Sequence, residues 1–331
     1  MTYCPNKNRY KNMVYDYCGN SGLKFPAISL GLWHNFGQSD SFEKSRSIIR
    51  RAFDLGITHF DLANNYGIPP GSAEKTLGKL LKTDLANYRD QLIISTKAGY
   101  GMWEGPYGDG GSRKYLISSL NQSLKSLNLD YVDIFYHHRF DPDTPLEETM
   151  ETLNHIVKRG KALYVGISNY NSKQTIKAVE ILKDFKTPFI INQVSYSIFD
   201  RWIEKDDLFD TLSKHKIGGI AFTPLAQGLL TDKYIEGIPK DSRIASSSQF
   251  LSKNDINNNK IIKLKKLNKL AEQRNQSLAQ MALAWVLRQK NIVSVLVGAS
   301  KVKQIEENVK TLEYLKFSKS ELEKIDQICD L

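Results

Sequence analysis

The sequence predicts an α/β protein, a closed (β/α)8 TIM barrel formed by a single domain over residues 1–331. Eight short, nearly continuous apolar runs occur along the chain, as expected of parallel strands that are buried on both faces. A segment with helical apolar spacing follows each run. No linker or change of composition interrupts this alternation, which favours one barrel over the two halves of an open doubly wound sheet.

The strands and helices follow one another in a regular order. The eight runs predict strands over residues 27–30, 59–62, 92–96, 132–136, 163–167, 189–194, 219–222 and 294–297. The eight helical segments cover residues 41–55, 72–81, 114–126, 145–159, 172–183, 206–216, 277–288 and 302–311. Gly56 ends the first helix, and Thr144 with Glu147 predicts a capping box at the start of the fourth.

Three segments lie outside this regular pattern. Residues 13–24, with Gly19-Asn20 between two short runs, predict a hairpin that closes the barrel bottom. Long loops over residues 99–112 and 224–259 follow the third and seventh strands. Because loops at the carboxyl ends of barrel strands build active sites, we expect the site there. Residues 260–270 form a lysine-rich amphipathic helix without interleaved aromatic residues, so we expect no nucleic-acid partner.

Composition limits the function classes. With 41% hydrophobic and 25% charged residues, the chain is neither disordered nor collagenous nor of low complexity. The formal net charge of +10 suits anionic ligands such as phosphates. Cys4, Cys18 and Cys329 cannot all pair, which is typical of the reducing cytosol. Residues 1–17 lack the apolar core of a secretion signal, and no apolar stretch is long enough for a membrane span, so we expect a cytoplasmic protein.

Several familiar motifs are absent or incomplete. Gly71 and Lys79 belong to a G-x6-G-K run, which is too long for a phosphate-binding P-loop. Residues 166–170, GISNY, lack the last glycine of a nucleophile elbow, and no G-x-G-x-x-G follows the first strand. His137 and His138 are adjacent on a strand and therefore point to opposite faces. They make a poor chelating pair, so we expect no metal site.

Four ionisable side chains stand at or just after predicted strand ends. Asp61 ends the second strand, and Tyr66 follows in its loop. Lys97 ends the third strand and His138 the fourth. Each alone has an ordinary structural interpretation, since Asp61 could cap a turn and Tyr66 could pack in the core. Because the carboxyl ends of barrel strands meet at one rim, we expect all four to converge.

Together these four groups suit the protonation of a carbonyl oxygen while a hydride reaches its carbon. The usual tyrosine pKa, about 10, is too high for easy proton donation, and a nearby Lys97 ammonium should lower it. Asp61 would hold Lys97 charged and oriented. His138 would donate a hydrogen bond to the carbonyl oxygen and position the substrate. Tyr66 is thus the predicted general acid.

At this point the sequence resembles the aldo-keto reductases over nearly its whole length. The shared segments, in family order, are HFDLANNYG (59–67), STKAG (95–99), YVDIFYHHR (131–139), INQVSYS (191–197), FTPLAQGLL (222–230) and GASKVKQIEENV (298–309). The resemblance implies that Asp61, Tyr66, Lys97 and His138 form the catalytic tetrad, in agreement with the roles inferred from the residues.

The resemblance also implies NADPH as cofactor, bound in an extended form without a Rossmann motif. Ser168, Asn169 and Gln193 would hold the carboxamide, and Phe222 would stack on the nicotinamide. The predicted pyrophosphate path is lined by Thr223, Pro224, Leu225, Gln227, Gly228 and Lys233. The predicted adenosine-phosphate segment contains Gly298, Ser300, Lys301, Gln304, Glu307 and Asn308. Trp33, Asp61 and Arg243 complete the predicted cofactor site.

Within the family the chain is similar to the branch of bacterial L-glyceraldehyde 3-phosphate reductases and potassium-channel β-subunits. The features are SLGLWHNFG (29–37), RFDPDTPLEET (139–149) and LAQGLLTDKY (225–234). This branch implies a tetramer or a larger homo-oligomer. The channel subunits carry asparagine where this chain has His138, so histidine favours a working reductase.

The leading hypothesis is therefore NADPH-dependent reduction of small aldehydes or ketones, such as glyceraldehyde 3-phosphate or methylglyoxal. The candidate substrate pocket contains Trp33, His34, Tyr100, Trp103 and Arg139, and a substrate phosphate could meet Arg139, Arg113 or Lys114. One alternative is an NADPH-binding regulatory subunit with little turnover. Another is an unrelated phosphate-handling barrel such as an isomerase, which would leave Tyr66 with Lys97 unexplained.

Overall fold

The computed structural model describes residues 3–235 and 257–330, and this part of the chain forms a closed parallel barrel. The ten strands are β1 (Tyr15–Tyr17), β2 (Lys24–Pro26), β3 (Ile28–Gly31), β4 (His59–Asp61), β5 (Ile93–Ala98), β6 (Val132–His137), β7 (Ala162–Ser168), β8 (Phe189–Ser195), β9 (Gly218–Phe222) and β10 (Ile292–Val297). Strands β3 to β10 pair in chain order, and β10 pairs with β3 to close the barrel. The predicted (β/α)8 barrel is confirmed.

Helices surround the barrel and bury one apolar face against it. They are α1 (Phe42–Asp54), α2 (Ser72–Lys82), α3 (Arg113–Leu127), α4 (Leu146–Lys158), α5 (Ser172–Asp184), α6 (Trp202–Lys205), α7 (Leu208–His215), α8 (Asn258–Gln273), α9 (Leu278–Leu287), α10 (Val302–Val309) and α11 (Lys319–Asp330). Helix α1 illustrates the pattern, because Ile48, Ile49 and Phe53 recur on its buried side. No helix in these described ranges is long and apolar enough to cross a membrane.

The helical prediction differs from the structure at three places. The predicted helix 206–216 corresponds to α7, which begins at Leu208 after the left-handed Asp207 (φ 56°), and the short helix α6 before it was not predicted. The predicted capping box at Thr144 is wrong, because its hydroxyl donates to Asp141 Oδ2 at 2.7 Å and Pro145 occupies the N-cap of α4. Helix α11 was not predicted from the sequence.

The N-terminal hairpin covers the end of the barrel where the strands begin. Strands β1 and β2 pair antiparallel, and the backbone N–H of Ala27 donates to Val14 at 2.8 Å. Phe25 is fully buried in one cluster with Ile93 and Ile190, which lie at the amino ends of their strands. The hairpin therefore closes the barrel bottom, as predicted, and leaves the carboxyl end for ligands.

Helices α2 and α3 pack closely at Gly78. A Cβ atom placed on Gly78 would lie 2.2 Å from the backbone oxygen of Ser126, at the end of α3. This approach fixes α2 against its neighbour. Because α2 follows the loop that carries Tyr66, the contact also helps to place that loop.

We expect Gly78→Ala to lower the free energy of unfolding by about 1–3 kcal/mol, because overpacking a close backbone contact forces a shift. At an exposed helix position the same change would raise the free energy of unfolding by up to about 1 kcal/mol. A decrease therefore indicates the close contact between α2 and α3. Urea unfolding measures the difference. Gly22→Ala is the matched control, because its added Cβ meets no atom within 4 Å. Equal stability of the two variants would contradict this packing.

Candidate active site

The four predicted catalytic side chains lie together at the carboxyl end of the barrel. Asp61 is the last residue of β4, Lys97 lies near the end of β5, and His138 follows β6 directly. The Lys97 ammonium lies 4.9 Å from the centroid of the Tyr66 ring. The Tyr66 and His138 rings meet edge to face, with centroids 5.9 Å apart. One group of proton donors and charges therefore faces the same space above the barrel.

A buried ion pair forms the base of this group. Lys97 Nζ donates to Asp61 Oδ2 at 2.5 Å and to the Leu62 carbonyl at 2.7 Å. Both charged side chains are almost fully inaccessible to solvent. Asp61 Oδ1 accepts hydrogen bonds from Ser95 Oγ at 2.7 Å and Gln193 Nε2 at 3.1 Å. Burial lowers the pKa of Lys97, and the Asp61 carboxylate opposes this shift.

Tyr66 is the phenol closest to this ion pair. Burial raises its pKa well above the usual range, and the negative charge of Asp61 acts in the same direction. The direction of this shift is opposite to the expectation from the sequence, because burial is its largest cause. The Lys97 ammonium is directed at Asp61 and Leu62. Tyr66 is consequently protonated at neutral pH, as a general acid must be before it reacts.

His138 provides a neutral imidazole beside Tyr66. Burial holds its pKa well below the usual range, and the Lys97 charge lowers it further. Its Nδ1 has no hydrogen-bond partner in the described part of the chain. His137 is engaged elsewhere, since its Nδ1 lies 2.6 Å from the Tyr170 hydroxyl. The two adjacent histidines thus have separate environments, and only His138 faces Tyr66.

A tight turn positions Tyr66. The Tyr66 carbonyl accepts hydrogen bonds from the N–H groups of Gly71 at 3.0 Å and Ala73 at 3.2 Å. Gly67 follows with a φ of +87°, and a Cβ there would lie 2.6 Å from the Ala73 nitrogen. Only glycine suits this conformation and this close approach. Asn64 anchors the start of the turn, because its backbone N–H donates to the Lys97 carbonyl at 2.9 Å.

The residues predicted to hold the nicotinamide carboxamide lie next to the four groups. Asn169 Nδ2 donates to the His138 carbonyl at 3.1 Å, and its backbone N–H donates to the Gln193 carbonyl at 2.9 Å. Ser168 is buried at the end of β7, 3.2 Å from Asn169 Nδ2. Gln193 donates to Asp61, as described above. The ends of β6, β7 and β8 therefore form one polar surface beside Tyr66.

The segment after β9 has the backbone of a ligand-binding loop. Thr223, Ala226, Gln227 and Gly228 all have positive φ, at 51°, 47°, 59° and 99°. A β-branched residue such as Thr223 rarely adopts this conformation, and such strain clusters at binding sites. Among the described residues, no atom lies within 4 Å of a Cβ placed on Gly228. Phe222, half-buried at the end of β9, precedes this segment.

The segment before α10 provides backbone donors and a cation. The N–H groups of Ser300 and Lys301 donate to Gln304 Oε1 at 2.7 and 3.2 Å. The Lys301 side chain is exposed and Asn308 is buried. A Cβ on Gly298 would meet no atom of the described part of the chain within 4 Å. Glu307 forms an ion pair with Lys310 at 3.0 Å. An exposed cation at a helix N-terminus fits a phosphate, so this segment suits the implied nucleotide.

The remaining predicted cofactor residues are less tightly connected to this site. Lys233 is exposed on a short 3-10 turn, Asp232–Tyr234, after the loop that follows β9. Pro224 is buried and Leu225 is half-buried in that loop. Arg243 lies outside the described residues.

The structure separates the candidate substrate residues into two groups. Trp33 lies 6.1 Å from the Tyr66 ring and 4.2 Å from the His34 ring. Tyr100 packs against His138 at 4.7 Å, and the Arg139 guanidinium lies 4.9 Å from the Tyr100 ring. Trp33 and Tyr100 thus contact the Tyr66 and His138 pair, and His34 and Arg139 lie behind them.

The other candidates have partners elsewhere. Trp103 packs on Tyr115 at 5.0 Å, Arg113 pairs with Glu151 at 4.0 Å, and Lys114 lies 5.1 Å from the Tyr107 ring.

Sequence reasoning missed two groups that contact the predicted residues. Ser95 donates to Asp61, and Asp109 pairs with Arg139 at 3.0 Å. Ser95 lies two positions before Lys97, so strand alternation places both side chains on one face of β5. That signal was available in the sequence. The ion pair between Asp109 and Arg139 could not be predicted in this way, because it depends on the path of the loop over residues 99–112.

Comparison with known proteins agrees with this geometry. The aldo/keto reductase family profile matches residues 27–330. The chain is 57% identical over 330 residues to the L-glyceraldehyde 3-phosphate reductase of Escherichia coli (strain K12), covering 99% of this chain and 95% of the relative. It is 35% identical over 307 residues to a probable voltage-gated potassium channel subunit beta of Oryza sativa subsp. japonica, covering 92% of each. Because the match extends over the barrel and its catalytic end alike, the chain belongs to the aldo/keto reductase family and is an oxidoreductase.

Proposed function

We propose that this protein reduces small aldehydes to alcohols with NADPH, and that glyceraldehyde 3-phosphate is its main substrate class. The observation that carries the proposal is the protonated Tyr66 above the buried Asp61 and Lys97 pair, with neutral His138 beside it. The name of the relative that is 57% identical supports the phosphorylated aldehyde. Methylglyoxal is a second candidate of the same reaction type.

The four residues divide the proton chemistry among them. NADPH, when bound, supplies the hydride that reaches the carbonyl carbon. Tyr66 donates its phenolic proton to the carbonyl oxygen, which completes the alcohol. The Lys97 ammonium, held by Asp61, stabilises the tyrosinate that Tyr66 becomes. His138 donates a hydrogen bond from its neutral ring to the carbonyl oxygen and so orients the substrate.

The residues near the loops at the carboxyl end of the barrel bind and orient the cofactor in this proposal. Ser168, Asn169 and Gln193 hold the carboxamide, and Phe222 stacks on the nicotinamide ring. The backbone around Gly228 follows the pyrophosphate. Lys301 at the start of α10 meets the 2′-phosphate, which favours NADPH over NADH.

A regulatory subunit that retains NADPH is the second candidate. Its support is the 35% identity over 321 residues to a probable voltage-gated potassium channel subunit beta of Arabidopsis thaliana, covering 96% of each chain. His138 argues for the reductase, because its ring offers a donor beside Tyr66. We further propose a cytoplasmic homo-oligomer, on the basis of the unpaired cysteines and the family branch.

The direct test measures NADPH consumption with glyceraldehyde 3-phosphate of each hand, methylglyoxal and an aromatic aldehyde. We expect rapid consumption with one hand of the phosphorylated aldehyde. A chiral pocket selects one configuration of the substrate, and a cation in it binds the phosphate group. Consumption with none of them, while NADPH still binds, would favour the regulatory subunit.

Tyr66→Phe tests the proton donor. We expect turnover to fall by at least about a hundredfold, since general acid catalysis contributes about that much or more. Cofactor binding should persist, which quenching of protein fluorescence by NADPH detects. Tyr17→Phe is the control, because Tyr17 is exposed on the hairpin at the opposite end of the barrel. Undiminished turnover of Tyr66→Phe would show that Tyr66 is not the proton donor.

Lys301→Ala tests the 2′-phosphate contact. We expect the KM for NADPH to rise about tenfold while the KM for NADH stays unchanged, because only NADPH carries that phosphate. Lys303→Ala is the matched control, since Lys303 is an exposed lysine two positions along the same segment. An equal rise in KM for NADPH and NADH, or no rise for either, would contradict the assignment of Lys301 to the 2′-phosphate.

A further inference from the structure

A chain of hydrogen-bonded side chains runs through the barrel interior to Asp61. Ser294 Oγ lies 2.6 Å from Ser29 Oγ, and Ser29 Oγ lies 2.9 Å from His59 Nδ1. His59 Nε2 lies 2.9 Å from Ser95 Oγ, which donates to Asp61 Oδ1 at 2.7 Å. All five side chains are buried, and they come from strands β10, β3, β4 and β5.

The ionised Asp61 sets the direction of every proton in this chain. A carboxylate only accepts hydrogen bonds, so Ser95 must donate its single hydroxyl proton to Asp61. Ser95 Oγ then accepts from His59 Nε2–H. The Nδ1 of a neutral His59 is left as an acceptor, and it receives the Ser29 proton. Ser29 in turn accepts from Ser294, so the whole chain is polarised towards Asp61.

The environment of His59 supports the neutral imidazole that this direction requires. The pKa of His59 is lowered to about 4, mainly by burial; the Asp61 charge opposes this shift and the Lys97 charge adds to it. The ring of Phe25, from the hairpin, packs edge to face against His59 with centroids 4.9 Å apart. The imidazole is thus held by packing and by hydrogen bonds on both ring nitrogens.

Polar residues at these positions need an explanation. Aliphatic side chains commonly fill the interior layers of such barrels, and buried polar groups are costly unless they are hydrogen-bonded. Here the hydrogen-bonded chain ends at Oδ1 of Asp61, whereas Lys97 donates to Oδ2. With Ser95 on Oδ1, the carboxylate is fixed so that Oδ2 faces Lys97.

We propose that His59 is a positioning residue of the proposed reduction, acting through Ser95 to orient Asp61 and thereby the Lys97 ammonium beneath Tyr66. The proposal rests on the proposed function, because the orientation matters only if Lys97 stabilises the tyrosinate of Tyr66. It gives the polar barrel interior a role in the chemistry at the rim.

Several other groups also face the ion pair. Gln193 from β8 donates to Asp61. Tyr136 from β6 has its ring 5.7 Å from Lys97 Nζ, and Asp61 raises the pKa of its phenol. Glu74 from α2 has a pKa raised by burial to about 7, and its charge raises the pKa of Lys97. A test of His59 must therefore alter the hydrogen-bonded side chains that link it to Asp61 and leave these other groups unchanged.

The first experiment is independent of activity. Histidine labelled with nitrogen-15 distinguishes the two neutral tautomers and the imidazolium by the shifts of the ring nitrogens. We expect His59 in the wild-type chain to be neutral with the proton on Nε2 at neutral pH. The signal is assigned by its loss in His59→Gln. A proton on Nδ1, or a charged ring, would overturn the proposal even if the protein reduces aldehydes.

The second experiment breaks the chain at Ser95. We expect Ser95→Ala to lower kcat about tenfold or more with little change in KM, because Asp61 loses a charge-assisted hydrogen bond. The basic limb of the kcat profile should move to lower pH, because a poorly oriented Asp61 carboxylate raises the pKa of Lys97 less strongly. A merely structural role would lower the melting temperature and leave this limb in place.

Two further variants complete the test. His59→Gln keeps a donor near the position of Nε2 and should retain the wild-type pH profile, whereas His59→Leu should shift it as Ser95→Ala does. Thr152→Val is the matched control, because Thr152 is equally buried but lies on α4 and donates to the Glu148 carbonyl at 2.7 Å. Equal pH profiles of Ser95→Ala and Thr152→Val would overturn the proposal. If the wild type reduces no aldehyde, the proposed function fails, while the nitrogen spectra still test the chain.

Discussion

The buried ion pair between Asp61 and Lys97 is the constraint on which the site depends. Two charges that are nearly excluded from water are tolerated only when hydrogen bonds satisfy the remaining polar atoms. The barrel provides three such partners, the Leu62 carbonyl, the Ser95 hydroxyl and the Gln193 amide, in addition to the hydrogen bond within the pair. The same low-dielectric surroundings keep Tyr66 protonated and His138 neutral. Burial therefore prepares both proton-donating groups for their proposed roles.

The two ends of the barrel have different tasks. At the amino end, the hairpin places Phe25 against His59 and seals the interior from solvent. At the carboxyl end, the strands are followed by turns with unusual backbone conformations, such as Gly67 and Thr223. Strained turns persist only where surrounding packing holds them. The closed end thus stabilises the framework on which the open end presents its polar groups.

The alternation of apolar runs and helical segments was enough to predict the barrel, the hairpin and the common rim for Asp61, Lys97 and His138. Local details were less predictable. Thr144 has the sequence of a helix cap, but Asp141 is close in the fold and takes its hydroxyl proton. The helix predicted from residue 206 begins only at Leu208, because Asp207 before it has a left-handed φ. Such competition between local and distant partners is invisible in a single sequence.

By itself, the sequence determined which residue types stand at the strand ends, because strand periodicity and chain order are local properties. It thereby indicated a carboxylate, an ammonium, a phenol and an imidazole at one rim. Only the tertiary structure decided the direction of the pKa shift of Tyr66 and the partners of Asp61. Those properties depend on burial and on distances between strands that are far apart in the chain. Three buried polar residues illustrate this point: Ser29, Ser294 and His59. Their side chains can be hydrogen-bonded to one another and to Ser95 only because barrel closure brings their strands together.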